Sequence, residues 1–344
     1  MLGVSLVICC HNSADKLPAT IQHICDLNVN RDVAWELIVV DNASTDNTYE
    51  TAVQLLSDDL KKITKIVIEN TLGLSSARRR GIAESRYEYI CFVDEDNGIC
   101  PDWVDVVYDI MSKRPETGAC GGLGLPIFDG SPPFWFEQYK HCYAVGPQNE
   151  IAGYVESSVG YLWGAGLTIR KSAWDDIITF GFPFSLVGRC GSTLSAGEDV
   201  EICFALRCCG WSLWYDDRLT YYHYIPACRL NLNYLKKMHR GFGEACAVLD
   251  MYDTFLGSDF DIVHDYRGAW IKDSWQVIMS HLRQQIACLL KFDQLVWIKL
   301  VINSNFVIGK LRKILASPTD YDQLKYKICL FGFNAKSNKL RIPE

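Results

Sequence analysis

The feature that most constrains this chain is an alternation of buried strands and helices through its first 120 residues. Val4-Ser5-Leu6-Val7-Ile8-Cys9 is an almost continuous apolar run, the pattern of a strand covered on both faces. Glu36-Leu37-Ile38-Val39-Val40-Asp41 repeats it, Lys65 to Glu69 gives a third strand, and Tyr89-Ile90-Cys91-Phe92-Val93 a fourth. Helical stretches lie between and after them. One runs from Asp15 to Leu27, with Ser13 as its cap and Pro18 in its early part; others open near Ser44-Thr45-Asp46, at Ser75 and at Asp102. This order implies an α/β fold, a mostly parallel sheet flanked by helices on both faces. Ligands of such sheets bind beyond the carboxyl ends of the strands, so polar residues there carry functional weight.

From Gly121 to Gly160 the rhythm weakens into Gly, Pro and aromatic residues. It resumes with a strand at Gly166 to Ile169, a helix from Lys171, and a glycine-containing stretch, Gly181 to Gly197, expected to close over the site. A helix follows from Glu198 to Cys209, then short strands through Trp214 and Tyr222, then helices over Asn231–Leu249 and Trp270–Ala316. The expected organisation is a catalytic part over 1–228, split into halves 1–120 and 121–228, and a helical part over 229–344. Between Leu295 and Leu315, Lys299, Asn303, Lys310 and Lys313 share one face, and Lys291 and Asp293 cut the apolar run short. It falls below the roughly 20 apolar residues that span a bilayer. Two readings stay open: a basic amphipathic element touching a membrane surface, or a helix packed on the catalytic part.

A chain of 344 residues can bury a sizeable core, and its net charge of −7 argues against a broad grip on nucleic acid. Its fifteen cysteines are odd in number and do not suggest a disulfide framework. Cys9, Cys91 and Cys203 sit in apolar runs, where a thiol serves as a small hydrophobe. The pairs Cys9-Cys10 and Cys208-Cys209 lack the CxxC partners of a zinc site. With the first strand opening at Val4, no signal peptide is expected, and a reducing, cytoplasmic setting follows.

Asp94-Glu95-Asp96 directly follows the fourth strand. An isolated acidic triplet is usually a solvated turn, but the run Ile90–Val93 fixes this one at a strand end. Closely spaced carboxylates there suit a hard divalent ion that also holds diphosphate oxygens. Gly197-Glu198-Asp199-Val200-Glu201 opens a helix, where acids are commonly dipole partners only. A second acidic site far along the chain is nevertheless what metal-assisted transfer to a hydroxyl requires: one carboxylate holds the metal and another removes the proton.

Five stretches taken together resemble a family-2 inverting glycosyltransferase of the GT-A type: VSLVICCHNS from Val4, ELIVVDNASTDNT from Glu36, LGLSSARRRGI from Leu72, FVDEDNGICPDW from Phe92 and GEDVE from Gly197. Their order and spacing match over residues 1–225. The resemblance implies a Rossmann-like GT-A fold and a nucleotide-diphosphate sugar donor, UDP-sugar favoured. It puts Cys9, His11, Asn12 and Asp41 at the nucleobase, Asp41 being able to accept from the uracil ring N–H. Arg78 supports the nucleotide, and Asp94 and Glu95 lie near ribose and diphosphate. Asp96 binds Mn²⁺ or Mg²⁺, with His223 either beside it or a satisfied core histidine. Asp199 matches the catalytic base, and Glu198 orients the site. Trp135 and Trp163 fall on the acceptor side, which would receive a glycan, glycolipid or glycoprotein hydroxyl.

No QxxRW segment follows Glu198-Asp199, which points to one sugar per event. A sugar-nucleotide nucleotidyltransferase would carry a Gly-rich basic loop after the first strand, where Cys10-His11-Asn12-Ser13 stands instead. A non-catalytic sugar- or nucleotide-binding relative is disfavoured by the intact Asp96 and Asp199. The expected setting is cytoplasmic, with peripheral contact at the inner face of a membrane if the late helix lies there.

Overall fold

The computed structural model describes residues 1–155, 160–190, 194–252, 256, 268–288 and 294–339. Four parallel strands make one half of the sheet: β1 (Val4–Cys10), β2 (Trp35–Asn42), β3 (Thr64–Glu69) and β4 (Tyr89–Asp94). They lie in the order β3-β2-β1-β4. Every residue of β1 is buried, and Val4, Leu6, Val7 and Ile8 each stabilise the fold by about 2 kcal/mol. Helices α1 (Leu17–Cys25), α2 (Thr48–Leu55), α3 (Asp58–Ile63), α4 (Leu74–Glu84) and α5 (Trp103–Lys113) connect and cover these strands. α1 starts two residues later than expected. Ser13 donates its hydroxyl to the His11 carbonyl instead of capping, and Pro18 occupies the first turn.

The other half of the sheet is mixed. It comprises β5 (Asn97–Ile99), β6 (Thr117–Phe128), β7 (Gly153–Tyr154), β8 (Thr168–Arg170) and β9 (Ser212–Ile225). β8 runs antiparallel to β4 and β6, β6 and β9 are parallel, and β5 and β7 add antiparallel to β9. The short strands expected through Trp214 and Tyr222 are one strand. Asp216-Asp217-Arg218, which breaks the apolar pattern, lies where the register shifts from Gly121↔Tyr215 to Leu123↔Thr220, a bulge within a continuous strand.

The remaining helices are α6 (Phe136–Tyr139), α7 (Lys171–Thr179), α8 (Glu198–Cys208), α9 (Leu232–Leu249), α10 (Ala269–Cys288), α11 (Gln294–Ala316) and α12 (Pro318–Lys339). α10 and α11 cover the single helix expected over Trp270–Ala316; Lys291 and Asp293 lie outside the described residues. α9 and α11 touch backbone to backbone. A Cβ at Gly243 would stand 1.9 Å from the Phe306 carbonyl oxygen, and one at Gly309 2.0 Å from that of Arg240. α12 buries Ile328 and Phe331 in the same cluster as Val7, Ile38 and Phe92 of the sheet. α11 packs through Ile298, Ile302 and Ile314. None of the described helices is long and apolar enough to cross a membrane.

Candidate active site

The carboxyl ends of β1, β2 and β4 stand side by side, Cys10 opposite Asp41 and Cys9 opposite Asp94. Beyond them opens a cavity of about 850 Å³, lined by Cys9, His11, Arg78, Asp94, Glu95, Asp96, Glu198, Asp199 and His223. Nine of the eleven site residues expected from the sequence therefore converge. Asn12 and Asp41 stand outside the lining. Asn12, at φ 49°, accepts from the Thr45 backbone N–H at 2.7 Å and ties β1 to the loop after β2. Asp41 is buried and accepts from the Ser44 N–H at 3.2 Å. Its neighbour Asn42 lines the cavity instead, held by the Gly73 N–H at 2.7 Å and the Thr71 carbonyl at 2.8 Å. Cys9 is an inert wall, its thiol pushed up to about 12 by burial.

Asp96 reaches His223 because β5 pairs with β9, Asn97 opposite His223. The His223 Nδ1 lies 2.7 Å from the Tyr143 carbonyl oxygen. A carbonyl can only accept, so Nδ1 carries the proton, and burial keeps the ring neutral by lowering its pKa. The lone pair is thus on Nε2, 4.0 Å from Asp96 Oδ1. Arg229 Nη1 stands 3.1 Å from the other oxygen, Oδ2. Burial opposes ionisation of Asp96, but His223, which is protonated only at the acid pH where this carboxyl titrates, together with Arg229 and Arg189 outweighs it and holds the carboxyl below its usual range. Its neighbours shift the other way. Burial pushes Asp94 up to about 6 against the pull of Arg78, and burial with the charge of Asp96 pushes Glu95 up to about 7.

This pair fits a divalent cation in donor chemistry, with a carboxylate oxygen and a neutral imidazole whose second nitrogen is already oriented by a carbonyl. Among the described residues no group of three ligating side chains assembles, so a bound cation would take its further ligands from a substrate or water.

The opposite wall is the opening of α8. Gly197 caps it at φ 92°. Asp199 Oδ2 accepts from the Gly164 N–H at 2.6 Å, and its Oδ1 from the Val200 N–H at 2.9 Å. Arg78 joins this wall to the triplet. Its Nη1 is 3.4 Å from Glu198 Oε1, its Nη2 3.7 Å from Asp94 Oδ1 and 3.3 Å from the Gly164 carbonyl, and its plane covers the Phe92 ring. Arg78 reaches so deep because Gly81, one turn later on the same face, lets α4 lie directly on Val7 of β1. Burial and the charge of Asp199 push Glu198 up to about 7, Arg78 opposing.

Within α8, buried Glu201 accepts from the Ser185 and Leu186 N–H groups at 3.1 and 2.9 Å and from the Tyr252 hydroxyl at 2.9 Å. Together with a Leu74 N–H to Arg189 carbonyl bond of 3.0 Å, this fixes the segment that carries Arg189 into the cavity. That segment belongs to the stretch Gly181–Gly197, of which 191–193 lie outside the described residues. Trp163 lines the cavity, whereas Trp135 is buried in a separate aromatic cluster.

A family model for glycosyl transferase family 2 matches residues 5–178, half of the chain and nearly all of the parallel half of its sheet. The chain belongs to glycosyl transferase family 2. This family 2 chain is 25% identical over 340 residues to a poly-beta-1,6-N-acetyl-D-glucosamine synthase of Staphylococcus epidermidis, covering 97% of this chain and 70% of that one. It is 20% identical over 208 residues to a glucosyl-dolichyl phosphate glucuronosyltransferase of Haloferax volcanii, covering 60% and 63%. Alignments with the curated relatives span from 28% to 70% of those proteins' own lengths, half in one case. Among solved structures, S. aureus TarS 1-349 in complex with UDP-GlcNAc superposes with a TM-score of 0.53 at 14% identity, covering 99% of this chain and 92% of that one. At that identity the superposition speaks to the GT-A fold with its helical C-terminal region.

Sequence reasoning missed Arg189, Arg229, Lys16 and Asn42. Arg189 and Arg229 are single arginines in irregular segments and carry no spacing signal. Lys16, 3.6 Å from Glu95 Oε1, precedes a helix and looks like a surface charge. Asn42 stands beside Asp41 in the quoted stretch; successive strand residues point to opposite faces, and only the folded sheet shows which of the two lines the cavity.

Proposed function

We propose that this family 2 protein is an inverting glycosyltransferase that moves one sugar from a UDP-sugar to an acceptor hydroxyl, with Asp199 as general base. The observation that carries the reading is the convergence of Asp199 with the Asp94–Asp96 triplet in one cavity, joined through Arg78. The family assignment and the TarS complex with UDP-GlcNAc support a nucleotide-sugar donor.

Asp96 and His223 would hold Mn²⁺ or Mg²⁺, the imidazole favouring Mn²⁺. When bound, the cation supplies positive charge against the diphosphate leaving group. The chain's own residues do the rest. Asn42, His11 and Cys10 face the nucleotide at the strand ends. Arg189, Arg229 and Lys16 add cations around the triplet. The Gly164 N–H fixes the Asp199 carboxylate, whose Oδ2 receives the acceptor proton as the hydroxyl oxygen bonds to the anomeric carbon and the bond from that carbon to the diphosphate oxygen breaks, its electron pair leaving with the nucleoside diphosphate. Glu198 holds Arg78 in place rather than taking the proton. The division at residue 228 and peripheral membrane contact through the C-terminal helices are part of this proposal.

The test is nucleotide-diphosphate release from a panel of UDP-, GDP- and dTDP-sugars, with Mn²⁺ or chelator and with Asp96→Ala alongside. Metal-dependent release from one donor, lost in the variant, is expected. Failure of every nucleotide to bind by calorimetry would overturn the assignment.

A further inference from the structure

The cavity that holds the triplet has a second end of different chemistry. Its lining cations, Lys16, Arg78, Arg189 and Arg229, gather around the acidic triplet. Beyond Asp199 the lining is mostly apolar, with Tyr161, Phe204 on α8, Phe242 and Leu249 on α9 and Phe306 on α11; its polar members include His239 and Asp250, and Asp250 is already paired with Lys310. Phe204 lies little more than one turn along α8 from Asp199, and its ring packs edge-on against Tyr161 with centroids 6.4 Å apart. Asp199 therefore stands between a cationic end and an apolar one. A diphosphate belongs at the cationic end, which leaves the apolar end to the other substrate. A second sugar ring placed there would lose water from its hydroxyls with few partners to replace it. A hydrocarbon or aryl group would lose nothing.

We propose that the acceptor is amphipathic, with its reacting hydroxyl at Asp199 and an apolar group seated among Phe204, Phe242, Leu249 and Phe306. This rests on the transfer reading and names the acceptor class for it. The apolar end is built from α8, α9 and α11 together, so the C-terminal helices form part of the acceptor site.

The test is calorimetric titration of methyl, butyl and hexyl β-glucosides into the full chain saturated with UDP and Mn²⁺. Affinity is expected to rise two- to fourfold, to order of magnitude, for each added methylene. Phe242→Asn and Leu249→Asn should each flatten the series while UDP binds as before, and Phe242→Leu should keep most of the slope. A flat series in the native protein overturns the proposal, as does an undiminished slope in both Asn variants. Failure of the native protein to bind UDP would instead overturn the transfer reading and the acceptor assignment with it. Flotation with vesicles carrying a diacyl glucolipid separates the sources. Capture by these but not by sugar-free vesicles supports a membrane lipid, and no capture with a sloped series supports a soluble amphiphile.

Discussion

Gly164 has no side chain, and so its backbone can stand between Arg78 and Asp199. A Cβ there would lie 2.7 Å from Arg78 Nη2 and 3.0 Å from Asp199 Oδ2. Gly164→Ala should displace both groups, lowering kcat by about 10²-fold and lowering the melting temperature through overpacking; comparison of kcat with calorimetric UDP binding and thermal unfolding checks it. Glu198 belongs to the same constellation. Its ordinary value of 4.5 is raised to about 7 by burial and by Asp199, so the folded protein holds this proton more tightly than the unfolded chain. The stability it contributes is full below about 4.5 and is lost as pH rises toward 7. Urea unfolding across that window should show stability falling with pH, and Glu198→Gln should remove that part of the slope. At this scale the sequence marked Asp94 and Asp96 because the apolar run Ile90–Val93 fixes them at a strand end, and Glu198 and Asp199 because metal-assisted transfer to a hydroxyl needs a second acidic site. It could not mark Arg189 or Arg229, whose roles arise only when distant segments fold over the triplet.

At the scale of elements, β1, β2 and β4 were legible because a strand buried on both faces must be continuously apolar, whereas β3, half-exposed at the sheet edge, showed only the short run Ile66-Val67-Ile68. The mixed half was not legible. β9 runs through a bulge that places Asp216, Asp217 and Arg218 where alternation would demand apolar residues. The loop before α8 was expected from its glycines, but its anchor, Glu201, looked like a helix-start acid. Glu201→Ala would leave two N–H groups and the Tyr252 hydroxyl without their acceptor, a loss of about 3 kcal/mol. Denaturant titration should show that loss, and limited proteolysis should cut between Phe182 and Arg189 faster than in the native protein.

Across the whole molecule, the helices after residue 228 share a core with the sheet rather than hanging from it. Phe331 of α12 packs 5.7 Å from Phe182, and Ile328 joins the cluster around Val7 and Phe92. The α9–α11 contact is close enough that Gly243→Leu would drive a side chain into the Phe306 carbonyl. Neither helix backbone can yield without unpacking, so a loss of about 2 kcal/mol or more is expected, measured by thermal unfolding. This helical region was legible as helix but not as a wall of the site, because its amphipathic faces say what is buried without saying against what.

The central claim is that Asp199 takes the acceptor proton in a site that binds its donor without it. The most direct measurement compares native protein and Asp199→Asn for UDP binding by calorimetry and for glycoside formation with the active donor and Mn²⁺. The account predicts unchanged nucleotide affinity and a rate lower by about 10³-fold, within the range for loss of a general base. Glycoside formation at the native rate by Asp199→Asn would contradict it.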